Sequence, residues 1–165
     1  MINRTKTLAA ILTAGILSLN AFAVPDNTAT QTVTFEVSPI NQISVSSPTV
    51  SLMVNAAAAG SAPTSATDSS TTYAVTTNES YRKITGSINT AMPTGVTLSV
   101  ALAAVTGATS AGSVALGTSA VDLVYGFDAL NESGKTISYT LAATSAAGVV
   151  PSASKTVTFT LTAQD

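Results

Sequence analysis

Thr30-Gln31-Thr32-Val33-Thr34-Phe35-Glu36-Val37-Ser38 alternates without a break. In an extended chain Val33, Phe35 and Val37 fall on one side, and the Thr, Glu and Ser side chains on the other. A period of two is the mark of a strand with one covered face. Thr and Val, which are β-branched, favour the same backbone. The pattern repeats along the chain: at Ile43 and Val45, at Val50, Leu52 and Val54, at Tyr73 and Val75, and at Ile84 and Ile88. It continues at Val96, Leu98, Val100 and Leu102, at Val121, Leu123 and Tyr125, at Ile137, Tyr139 and Leu141, and at Val157, Phe159 and Leu161. About nine strands are therefore expected.

Turn chemistry separates these runs: Ser47-Pro48, Asn78-Glu79, Met92-Pro93-Thr94-Gly95, Gly107, Gly112, Gly117, Ser133-Gly134 and Gly148 to Pro151. Parallel βαβ units would need amphipathic helices of about ten residues or more between strands, and the chain has none. The one stretch with helical leanings is the Ala-rich run Asn55 to Ala66, which Gly60 and Pro63 interrupt, so it reads as a long loop. A membrane barrel also alternates, but it carries aromatic girdles, and only 5% of these residues are aromatic. The expected architecture is all-β, an antiparallel sandwich.

Composition excludes most site chemistry. The 165 residues include no His, Cys or Trp. A Ser-His-Asp or Cys-His nucleophile, an imidazole metal site, a cysteine zinc or iron–sulfur site and a disulfide are all ruled out. Six Lys and Arg give no electrostatic footprint for nucleic acid. Thr and Ser together number 49 and Ala 28, so the apolar excess rests on small residues.

Met1 to Ala23 reads as a secretory signal peptide. Arg4 and Lys6 supply the basic start, Leu8 to Leu19 the apolar stretch, and Ala21-Phe22-Ala23 the small-x-small cleavage site. The apolar stretch falls short of the roughly 20 residues of a spanning helix, and no later segment is apolar enough to span. Cleavage leaves Arg82, Lys83, Lys135 and Lys155 against eight carboxylates, a net charge of −4. The expected product is secreted, to periplasm, cell surface or medium. Residues 24–29 form a short polar lead and residues 30–165 a single domain, long enough to bury about two-thirds of its unfolded surface.

Candidate sites are sparse, and neither a catalytic site nor a bound cofactor is expected. The carboxylates are scattered, with no pair or aromatic platform of the kind a glycosidase uses. Asp128, Asn131 and Glu132 form the densest polar group, in an expected loop, and are the weak candidates for a calcium site; ordinary turn hydrogen bonding is the preferred reading. Tyr81-Arg82-Lys83 is the single basic cluster and reads as a hairpin end. Two Asn-x-Ser triplets, at Asn78 and Asn131, match the glycosylation pattern, a common chance triplet.

The N-terminal strand has the most functional leverage. With Val33, Phe35 and Val37 on one face, it can complete its own sheet, the usual arrangement, or insert into a neighbouring copy. Its opening Thr32-Val33-Thr34-Phe35 recurs as Thr156-Val157-Thr158-Phe159 near the end. Simple composition accounts for the echo; the alternative is that both are terminal strands at an edge or paired with each other.

Thr72-Tyr73-Ala74-Val75-Thr76-Thr77-Asn78, Lys83-Ile84-Thr85-Gly86-Ser87-Ile88 and Met92-Pro93-Thr94-Gly95-Val96-Thr97-Leu98 resemble, in pattern and composition, bacterial secreted surface proteins with immunoglobulin-like sandwiches. Lys135 to Leu141 and Lys155 to Leu161 are similar to the last two strands of such domains. The resemblance implies an immunoglobulin-like β-sandwich and a structural or adhesive, fimbria-like role at the cell surface, as a filament or matrix subunit. Its expected partners are itself or other surface proteins, associating through strand edges. The chain lacks the Trp of WxL wall-binding domains, the disulfide of many chaperone–usher pilins and a Leu-Pro-x-Thr-Gly ending, so any anchoring is expected to be noncovalent. The alternative is a monomeric binding module for carbohydrate or protein, with Asn55 to Ser70 and Gly107 to Gly117 as contact surfaces and Tyr81 and Phe127 as the candidate exposed aromatics.

Overall fold

The structure, a computed structural model, describes residues 27–165. The expected signal peptide, Met1 to Ala23, and the first residues of the expected polar lead lie outside the described residues. Val37–Asp165 is one compact unit.

Nine strands build it: β1 (Asn41–Val45), β2 (Ala66–Thr77), β3 (Arg82–Ile88), β4 (Val96–Leu102), β5 (Thr109–Ser110), β6 (Val114–Ala115), β7 (Val121–Phe127), β8 (Leu130–Ala143) and β9 (Val157–Ala163). A single 3-10 turn, Ser145–Ala147, is the only helical element among the described residues. The strands form two sheets, ordered β1-β2-β8-β4-β6 and β5-β7-β3-β9, and every neighbouring pair is antiparallel. The all-β antiparallel sandwich expected from the alternation is the fold observed.

The core forms because period two brings apolar side chains from both sheets to one interior. Leu98, Val100 and Leu102 of β4, Tyr73 and Val75 of β2, and Ile137 and Tyr139 of β8 come from the first sheet. Ile84 and Ile88 of β3 and Leu123, Val124 and Phe127 of β7 meet them from the second. Two successive residues, Leu123 and Val124, are both buried because the β3–β7 register shifts between Ile84 and Thr85. A bulge of this kind turns two neighbouring side chains toward one face. Gly86 of β3 is tightly enclosed: a Cβ there would lie 2.6 Å from Leu123 Cδ1. Tyr73 keeps its hydroxyl satisfied inside the core by donating to the Ala103 carbonyl at 2.6 Å.

Two expected strands are absent. Residues 30–38 carry no strand, nor do Val50, Leu52 and Val54. In the second case the alternation still describes burial, since Leu52 packs against the core while Met53 is exposed. A covered face does not by itself supply a hydrogen-bonding neighbour, and Pro48, at the entry to this stretch, lacks a backbone donor. The two-residue strands β5 and β6, invisible as periodicity, make up the number. Ser133-Gly134 is not a turn either. Ala74 alone stands opposite both residues, between the pairs Tyr73–Lys135 and Val75–Glu132, so the dipeptide is a bulge within β8. Gly134 takes the positive φ, 70°, that the bulge needs. The Ala-rich run behaves as the expected loop, pinched by an isolated bridge between Ala57 and Pro63.

Candidate functional site

A sheet that does not close has edges, and the edges here differ sharply. On one flank β5 and β6 end the two sheets with two residues each, too short to template a partner. On the other flank β1 and β9 end them and approach each other. β9 has seven residues, Val157-Thr158-Phe159-Thr160-Leu161-Thr162-Ala163, paired with β3 in unbroken register from Ile88–Val157 to Arg82–Ala163. Among the described residues it has a ladder on one side only. Natural edges are usually blunted by Lys, Pro or a bulge. β9 has none of these within its length. Lys155, just before it, is tied back to Thr90 Oγ1 and the Ala91 carbonyl, at 2.7 and 2.8 Å.

The lack of a further neighbour leaves the inner side of this flank incompletely covered. Ile84 and Ile88 of β3 are buried, yet Val157 and Leu161, their register partners on β9, are only half-buried, as is Phe159 beside Gly86. On β1, Ile43 is half-buried and Val45 is 43% exposed. Where the two edges approach each other, Ile43 of β1 and Val157, Phe159 and Leu161 of β9 thus pack on the core without being fully covered, and Val45 is exposed.

The expected association residues are themselves uncovered: Val33 is 72%, Phe35 89% and Val37 77% exposed. The chain between them and β1 is firmly held. The Ile40 N–H donates to Asn78 Oδ1 at 2.7 Å, Asn78 N–H donates to the Ile40 carbonyl at 3.2 Å, and Asn78 Nδ2 donates to the Ser38 carbonyl at 3.0 Å. Since Asn41 pairs with Thr77 at the start of β1, these bonds carry the β1–β2 pairing outward beyond the last ladder pair. Next to it, Asn41 binds the Thr77 hydroxyl at 2.8 Å and the Glu79 carboxylate, which also pairs with Arg82. In the sequence Asn78 stood out only as a turn residue and as part of a glycosylation triplet, not in this role; an Asn directly after a strand was the available signal.

Asp128, Asn131 and Glu132 do not form a cation site. Asn131 and Glu132 lie in β8 rather than in a loop, and as strand neighbours they project to opposite faces. Asp128 accepts the Tyr81 N–H at 3.0 Å. Glu132 pairs with Lys135 Nζ at 2.7 Å and accepts the Thr106 N–H at 3.0 Å. Lys135 and then Thr106 hold its carboxyl down at about 2. Among the described residues no group of three or more carboxylates converges. The basic cluster is likewise neutralised: Arg82 meets Glu79, and Lys83 meets Asp122 at 3.3 Å and Asp165 at 3.4 Å.

Of the two aromatics considered for ligand contact, Tyr81 is 74% exposed but Phe127 is 1% exposed. The bulged β7 turns Phe127 into the core. The proposed contact loop Asn55 to Ser70 is also shorter than expected, because β2 begins at Ala66. Two shallow hollows, of about 140 and 210 Å³, follow β1 and β2, below the roughly 300 Å³ at which small-molecule pockets begin. No helix among the described residues is long and apolar enough to cross a membrane.

Comparison with known proteins returns no match to any family model, curated protein or solved structure.

Proposed function

We propose that the chain is a secreted, non-enzymatic structural or adhesive surface protein, a filament or matrix subunit that associates through strand edges. Val33, Phe35 and Val37 are the inserted face, and the flank between β1 and β9 receives it. The observation that carries this reading is a matched pair of deficits: an alternating segment with its apolar face in solvent, and a seven-residue, charge-free edge with its own apolar face half covered. Strand addition would remedy both at once, because main-chain pairing extends the sheet while alternate side chains cover the half-buried apolar residues of the edge.

Topology supports the same reading. A constant-type immunoglobulin sandwich places strands A, B, E and D in one sheet and C, F and G in the other. With β1, β2, β3, β4, β8 and β9 taken in chain order as A to F, the neighbour order β1-β2-β8-β4 reproduces A-B-E-D, and β9 stands beside β3 as F beside C. β5, β6 and β7 are then an insertion before E. The position left over is G, on the open flank of β9. The absence of charge on β9 adds to the argument, since apposed surfaces of this kind repel little.

The test compares the mature chain from Val24 with a truncation starting at Ser38, by light scattering and negative-stain microscopy. Fibres or ladders from the first, with a folded monomer from the second, support the proposal. A compact monomer from the first, with the second unfolded, assigns residues 30–37 to their own core and refutes it.

A further inference from the structure

We infer that Asn78, by clamping Ser38–Ile40 in line with β1, commits the Val33–Val37 face to a second copy of this chain rather than to its own sandwich. The inference rests on the proposed strand association and adds a device that chooses between self and partner. The choice is not trivial, because a segment that matches a neighbour's open flank matches its own equally well, and with a tether that permits it the higher effective concentration of its own flank would win.

The geometry that decides it lies wholly within Val37–Asp165. β1 belongs to one sheet and β9 to the other; packed sheets stand about 10 Å apart, and these two edges approach to within 8 Å. A segment that is to pair with the open side of β9 in its own sandwich must leave β1, reverse, and cross most of that distance. An extended residue covers at most about 3.5 Å, so crossing takes about three residues and the reversal takes more. Those residues are Ser38, Pro39 and Ile40, and the three bonds from Asn78 hold them against the end of β2, on the wrong sheet for the crossing. Pro39 stiffens the same point, fixing its own φ and keeping Ser38 extended. Self-docking would break every one of these bonds. Docking on a second copy breaks none.

Two variants test the clamp: Asn78→Ala, and Asn78→Ala with Gly-Ser-Gly-Gly inserted between Pro39 and Ile40, which supplies about 13 Å of reach. Light scattering gives the monomer fraction, and hydrogen exchange at residues 31–37 shows whether the segment is docked. The expected result is an assembled wild type and, for the inserted variant, a rise of tenfold or more in monomer whose residues 31–37 are protected. Asn78→Ala alone should fall between. If the wild type and both variants assemble equally and all lose assembly with Phe35→Ser, strand association stands and the clamp is refuted. If the wild type is a monomer with residues 31–37 protected, the segment docks at home despite the clamp, and the inference fails. If it is a monomer with those residues unprotected, the proposed association itself fails, and the inference with it.

Discussion

Phe35→Ser separates a side chain that serves the chain's own fold from one that serves a neighbour. Phe35 is 89% exposed, so its removal uncovers almost no apolar surface in the unassociated protein. The expected change in unfolding free energy is that of an ordinary surface substitution, within about 0.5 kcal/mol. In the assembly the ring would leave water, and full burial of such a side chain stabilises by about 1.5 to 3 kcal/mol. At 1.4 kcal/mol per decade, association should weaken roughly 10- to 140-fold. Ile84→Ala is the opposite control: Ile84 is fully buried, and truncation there should cost about 2 to 5 kcal/mol of folding stability. Sedimentation velocity over a concentration series measures the first effect. Urea unfolding, at a concentration where both proteins are monomeric, measures the second. A loss of 2 kcal/mol or more in the folding of Phe35→Ser would show that the ring already has a core of its own, and unchanged association would remove it from the interface; either result refutes the reasoning.

Two further outcomes follow from the interior and from the charge pairs. Gly86→Ala places a Cβ 2.6 Å from Leu123 Cδ1 and 3.4 Å from Leu116 Cδ2; with Leu123 fully buried, the strain should cost about 1 to 3 kcal/mol in urea unfolding, and a loss under about 0.5 kcal/mol would mean that Leu123 repacks freely. Glu132, held down at about 2 by Lys135 and Thr106, supplies stability that is complete above its ordinary 4.5 and is lost as pH falls from there toward 2, so the stability gap between wild type and Glu132→Gln should narrow across that window, and a gap equally wide at pH 7 and pH 2 would exclude the carboxylate as its source.

The alternating runs were legible wherever a strand found both a core and a neighbour. Val96 to Leu102 is β4 residue for residue, and Val157 and Leu161 fall inside β9 as expected. The errors share a physical origin. Periodicity records which side of the backbone is apolar and nothing about hydrogen-bonding partners, so Val50, Leu52 and Val54 imitate a strand while Leu52 simply packs on the core. Bulges are equally hidden. Ser133-Gly134 has the composition of a turn, yet β8 runs through it, which moves Asn131 and Glu132 from the expected loop onto opposite faces of a strand. The shifted register in β7 accompanies Phe127 into the interior, away from the surface role considered for it.

The same limit explains why the candidate site was only half visible. Thr32-Val33-Thr34-Phe35 and Thr156-Val157-Thr158-Phe159 are identical, yet in one Val33 and Phe35 stand in solvent and in the other Val157 and Phe159 lie half-buried on β9. What differs is the surroundings: β9 has β3 on one side and a core beneath, whereas residues 30–38 join no strand. An alternating pattern specifies a face that requires cover but not which molecule supplies it. That information sits elsewhere, in Pro39 and in the Asn78 contacts to Ser38 and Ile40. On the proposed reading, three polar bonds at the root of the segment set where it can reach, and so whether the open edge is completed from within or by the next copy.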